Sequence, residues 1–122
     1  MFDKDLAHEI LNQILTAANR IERRSETISQ PDDFLLSDES LDKLDAICMM
    51  LIAIAENLKN LDKITDGTIL PQYPEVDWKG AKGIRDIISH HYFDLNAEVV
   101  FAICKERIPG LVTTIKKMKD SL

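Results

Sequence analysis

Apolar residues recur along the first part of the chain at helical spacing. Leu6, Ile10, Ile14, Ala17, Ile21 and Ile28 fall three, four or seven apart, with Lys4, Glu9, Gln13, Arg20 and Arg24 between them. The pattern predicts one amphipathic helix from Asp3 to about Ser29. Gln30-Pro31-Asp32-Asp33 should break it, because proline removes an amide hydrogen and disfavours helix at the residue before it. A second helix is expected from about Ser40 to Leu61, striped by Leu41, Leu44, Cys48, Leu51, Ala55 and Leu58. Ile47, Ile54 and Leu61 add a second apolar row, and Met49, Met50 and Ile52 leave almost no polar face in its middle. A helix apolar all round is buried all round. Either its own neighbours wrap this one, or part of it meets a second copy of the chain.

Asp62 to Val76 carries Asp66-Gly67, Pro71 and Pro74 and reads as a long connection without regular structure. Asp77 can cap a third helix, Trp78 to about His91, whose apolar face is Ala81, Ile84, Ile87 and Ile88. Tyr92 to Leu95 reads as a short turn. Asn96 can cap a fourth helix, with Leu95 and Val100 placed as a hydrophobic staple. Pro109 either ends or kinks that helix, and equally suits the opening of a last one carrying Leu111, Ile115, Met118 and Leu122. The expected architecture is all-α, an antiparallel bundle of four to five helices forming a single domain over residues 1–122.

Composition agrees with this reading: 4 Gly and 4 Pro in 122 residues leave few of the turns that a sheet would need. Cys48 and Cys104 lie in apolar helical stretches without a Cys-x-x-Cys pair, so they are expected as buried free thiols in a reducing cytoplasm. Met1 to Asp5 contains no basic segment leading into an apolar one. The run Ala46 to Ala55 is too short to span a bilayer, so no membrane association is expected. The formal net charge of −6 repels phosphate backbones, and nucleic-acid binding would need a local basic patch.

Such a patch is present. Between Lys79 and Tyr92, the cations Lys79, Lys82 and Arg85 face one carboxylate, Asp86, and the same stretch holds His90 and His91. Arg85 to Tyr92 reads Arg-x4-His-x-Tyr. Cleaving RNA without a metal requires a base for the 2′-hydroxyl proton, an acid for the leaving 5′-oxygen, and cationic donors for the phosphorane. An imidazole titrating near neutrality suits the first two tasks, and a guanidinium suits the third. Geometry limits the pairing, since positions five apart on a regular helix are rotated by about 140°. The helix could fray before His90, Arg85 could wrap around, or a second chain could supply the missing groups. In a two-fold dimer the cleft would hold two histidines and two arginines. Asp86, four before His90, would orient an imidazole or hold Arg85.

Bland alternatives accompany each residue. Lys79 and Lys82 also fit a solvated face rather than an RNA or phosphate contact. Adjacent helical residues such as His90 and His91 point apart and make a poor metal pair, so no metal or other cofactor is expected. His8 is expected to face solvent beside Glu9, and Trp78 to anchor the core.

An ordered set of short motifs carries more information. Tyr73-Pro74-Glu75-Val76-Asp77-Trp78-Lys79, Gly83-Ile84-Arg85-Asp86, His90-His91-Tyr92-Phe93, Glu98-Val99-Val100-Phe101 and Ile108-Pro109-Gly110-Leu111 together resemble the HepT-like branch of the HEPN superfamily. Upstream, Ile54-Ala55-Glu56-Asn57 stands where that family has Ile-Gly-Glu-Ala. The resemblance implies a helical-bundle homodimer with a metal-independent ribonuclease cleft on its two-fold axis. It further implies that the chain is the toxin of a toxin-antitoxin pair, silenced by a minimal nucleotidyltransferase partner. Arg85 and His90 would be catalytic with Asp86 beside them, and Tyr92 would be the residue to which the partner attaches AMP. Asp86 departs from the family's usual Asn, and Ala55 from its usual Gly. Two rivals remain: a non-catalytic binding module or accessory subunit that docks the nucleotidyltransferase, and a helical scaffold in which Arg85 and His90 close a structural network.

Overall fold

The computed structural model of the chain describes residues 2–94 and 96–122 and, at position 91, the backbone alone. Five α-helices build it: α1 Lys4–Ser25, α2 Asp38–Ile64, α3 Trp78–His91, α4 Ala97–Ala102 and α5 Ile108–Ser121. No strand occurs among the described residues. The helical-bundle expectation holds. The Leu95–Val100 staple lies outside the described residues.

Asp3 opens α1 by accepting the Leu6 amide at 3.0 Å. The helix ends four residues before the expected Ser29, and Asp33 explains why. Its carboxylate accepts the amides of Ser29 and Gln30 at 2.9 and 3.2 Å. Those amides are therefore drawn into the cap of a 3-10 turn, Pro31–Leu35, rather than into α1. Ser37 caps α2 by accepting from Ser40, with Asp38 and Glu39 favourably placed in the first turn. At the other end α2 continues to Ile64, one turn past the expected Leu61. It stops where Asp66 and Gly67 take successive left-handed backbone angles, φ 52° and 68°, and the Gly67 amide reaches back to the Asp62 carbonyl at 2.8 Å. The connection that follows is less irregular than expected, holding a 3-10 turn at Leu70–Gln72.

Between α4 and α5 the chain runs through a π-helical turn, Ile103–Arg107, with Pro109 at the start of α5. The Ile108 amide bonds the Ile103 carbonyl five residues back. Proline would leave the Lys105 carbonyl without its regular donor, and the wider turn absorbs this without ending the helical path.

In the packing order α1 lies against α2 and α5, while α3 lies on the far side of α2. The core gathers Leu11, Ile14, Ile21, Ile47, Leu58 and Ile115, all nearly inaccessible to water. Phe34, fully buried, ties the 3-10 turn into that core and sits in the segment against which α4 and α2 pack. The middle of α2 is not wrapped all round. Leu51, Ile54 and Ala55 are buried, but Met49 is 60% exposed and Met50, Ile52 and Ala53 are only half-buried. No helix among the described residues is long and apolar enough to cross a membrane.

Candidate functional site

The helix that carries the candidate residues is anchored at its beginning. Asp77 accepts the Gly80 amide at 3.0 Å, capping α3. A Cβ on Gly80 would collide with that carboxylate, so glycine keeps the cap in place. Trp78 is half-buried and its indole N–H donates to the Tyr73 carbonyl at 2.8 Å. Lys117 of α5 pairs with Glu75 at 2.9 Å, with its ammonium 6.0 Å from the centre of the Tyr73 ring. That contact raises the Lys117 pKa and lowers that of Glu75, in both cases chiefly through the hydrogen bond between them. The strand of chain leading into α3 is thereby fixed to both α3 and α5.

From Trp78 the helix is regular through His91, so fraying before His90 is not how Arg85 and His90 meet. With the turn intact they project from α3 about 140° apart. Both are exposed. Arg85 turns towards α2, where its Nε lies 2.5 Å from Glu56 Oε1. Asp86 Oδ1 stands 3.6 Å from Arg85 Nη1. Of the two tasks expected of Asp86, proximity to Arg85 is the one present. Among the described residues no hydrogen bond or ion pair joins Asp86 to His90.

Tyr92, 38% exposed, donates its hydroxyl hydrogen bond to Asp45 of α2. Its ring meets Phe93 edge-on at 5.5 Å, and Phe93 is 98% exposed. Lys82 is paired with Asp62 of α2, whereas Lys79 is exposed. His8 departs from its expectation. It is half-buried and lines a shallow, open groove between α1 and α2 with Asn12, Arg20 and Asn57.

Three α3-side groups, Lys82, Arg85 and Tyr92, thus each meet a carboxylate of α2: Asp62, Glu56 and Asp45. Of these carboxylates only Glu56 falls in a segment that the sequence marks, Ile54-Ala55-Glu56-Asn57, and no role is attached to it there. One signal was available, because Asp45, Met49, Ile52 and Glu56 follow the 4-3-4 spacing of a single helical stripe. Asp45 and Glu56 bracket the exposed Met49 and the half-buried Ile52, so Tyr92 and Arg85 stand at the two ends of an uncovered apolar strip. Eleven residues of helix separate those ends by about 16 Å.

A cavity of about 300 Å³ between α2, α3 and the π turn is lined mainly by Leu51, Ile54, Ala81, Ile84, Ile103 and Leu111. Cys48 and Cys104 are free and buried, and burial is the main reason each thiol pKa is pushed up to about 11. Among the described residues no group of three or more His, Cys, Asp or Glu comes together as a metal site.

The chain matches the family model described as ribonuclease HepT-like over residues 14–118, a span containing α2, α3 and every candidate residue. A provisionally named RNase of Methanocaldococcus jannaschii is 33% identical over 86 residues, covering 70% of this chain and 66% of that protein. Another, from Caldanaerobacter subterraneus subsp. tengcongensis, is 30% identical over 73 residues, 60% of this chain and 62% of its own length. The chain therefore spans a little under two thirds of the curated relatives it matches. No solved structure matches it. With the family model running from α1 into α5, over helices that pack as one bundle, the chain belongs to the HepT-like ribonuclease family.

Proposed function

We propose that this protein is a metal-independent endoribonuclease, the toxin of a toxin-antitoxin pair, acting in the cytoplasm as a two-fold homodimer. The observation that carries the reading is the placement of Arg85 and Tyr92 at opposite ends of the uncovered strip on α2. Pairing two such strips would bury Met49 and Ile52 and bring two copies of α3 to a common cleft. This arrangement meets the geometric shortage within one chain, where Arg85 and His90 diverge around the helix. One His90 imidazole takes the 2′-hydroxyl proton and its symmetry mate protonates the leaving 5′-oxygen. The Arg85 guanidinium stabilises charge on the phosphorane, and Lys79 and Lys82 offer flanking phosphate contacts. A nucleotidyltransferase antitoxin silences the cleft by attaching AMP to Tyr92. The added phosphate places a bulky anion at the edge of the strip, where it competes with RNA.

Expression of the chain alone arrests growth under this reading, and His90→Ala relieves the arrest. The purified protein cleaves RNA in EDTA and leaves 2′,3′-cyclic phosphate ends. Co-expression of the cognate nucleotidyltransferase restores growth and adds the mass of AMP to the wild type but not to Tyr92→Phe. If wild type and His90→Ala are equally harmless, the nuclease reading falls. A second reading, a non-catalytic module that docks the nucleotidyltransferase, draws on one observation: Glu56 and Asp62 already neutralise Arg85 and Lys82. It expects AMP on Tyr92 without RNA cleavage by any variant.

A further inference from the structure

Arg85 leaves α3 on an exposed flank, and a long guanidinium side chain there has many rotamers available. In this protein it is not left to sample them. Glu56, on a different helix, holds its Nε at 2.5 Å, while Asp86 approaches Nη1 only to 3.6 Å. A guanidinium has five N–H donors. Glu56 sits against the Nε end of the guanidinium as an ion pair and leaves the Nη donors for another acceptor. The direction of that grip matters, because Glu56 closes the stripe Asp45, Met49, Ile52, Glu56 and so draws Arg85 towards the uncovered face of α2.

We infer that Glu56 is a positioning residue for RNA cleavage, holding Nε of Arg85 so that its Nη donors are presented to the scissile phosphate beside the α2 strip. The inference rests on the ribonuclease reading above and assigns to α2 a part in a site otherwise carried by α3.

A carboxylate beside a phosphate-binding arginine has two opposing effects. It steadies the side chain, and it competes with the phosphate for positive charge. Magnitude decides between them. Both partners are close to half exposed, at 45% and 47%, and an ion pair in that setting changes binding by at most about five-fold. Losing outright a donor that acts on the transition state costs about a hundred- to a thousand-fold in rate. Holding that donor therefore matters more than a small cost in phosphate binding, and removing Glu56 slows the reaction, by no more than the roughly five-fold worth of the pair that holds it.

The test uses purified full-length protein with total cellular RNA as substrate, comparing wild type, Glu56→Ala, Glu56→Gln, Arg85→Ala and the Arg85→Ala/Glu56→Ala double variant. Glu56→Ala is expected to lower kcat about three- to five-fold while KM moves less than about two-fold. Glu56→Gln keeps a side-chain oxygen at the same reach from Arg85 Nε, and should retain kcat within about two-fold of wild type. In the Arg85→Ala background, Glu56→Ala should cost nothing further, because its object is gone. The inference is overturned alone, with the ribonuclease reading intact, by any of three results: Glu56→Ala as fast as or faster than wild type, Glu56→Gln as impaired as Glu56→Ala, or an undiminished loss without Arg85. If the wild type and every variant fail to cleave, the ribonuclease reading is overturned and this inference with it.

Discussion

Gly80 and Gly83 sit one turn apart on the same helix, yet a side chain at each would have opposite consequences. At Gly83 a Cβ meets no atom within 4 Å, so Gly83→Ala should gain helix propensity of up to about 1 kcal/mol. At Gly80 the same methyl would strike the Asp77 carboxylate that caps the helix, and losing a cap costs about 1 kcal/mol. Gly83→Ala should raise the melting temperature by about 3–5 °C, while Gly80→Ala should show no rise or a fall. Equal shifts for the two variants, read by thermal circular dichroism, would remove the capping explanation. Residues also differ in how openly sequence declares them. Asp77 as the cap of α3 could be read directly, because a cap is settled by the next three positions. Glu56 as the partner of Arg85 could not, because that contact depends on how α2 and α3 slide past each other.

Boundaries between elements show the same division. The start of α3 at Trp78 and its end at His91 follow from local pattern. The early end of α1 does not, since it is decided by Asp33 competing for the Ser29 and Gln30 amides. Pro109 left several outcomes open, and the π turn that resolves them keeps Val100, Cys104 and Ile108 all buried along one helical path. The turn Pro31–Leu35 depends on Phe34, which has no exposed surface. Phe34→Ala should destabilise the protein by about 3–5 kcal/mol, because the cavity left adds to the lost transfer energy. Chemical denaturation provides the measurement. A loss below about 1 kcal/mol would mean that the turn is not fastened through this ring.

For the whole molecule, the informative feature of the sequence was an excess of apolar residues in the middle of α2. The structure resolves where that excess goes. One side forms the core with Ile47, Leu51, Ile54 and Leu58, and the side bearing Met49 remains open in a single protomer. If two protomers join there, Met49→Glu should give a monomer by light scattering and a loss of RNA cleavage, with the helical content retained. A variant that stays dimeric and active would place the interface elsewhere. Arg85 and His90 diverge around a regular helix, so under the proposed function the cleavage site would be assembled at this scale.

The bundle is also unequal in how firmly its parts are secured. Helices α1, α2 and α5 enclose the core from several directions, whereas α3 rests chiefly on α2. A layer supported from one side can lift away at lower free energy than the body beneath it. The candidate cleavage groups therefore ride on a layer more easily detached than α1, α2 and α5, and a partner that braces or pries α3 could govern them without disturbing that body.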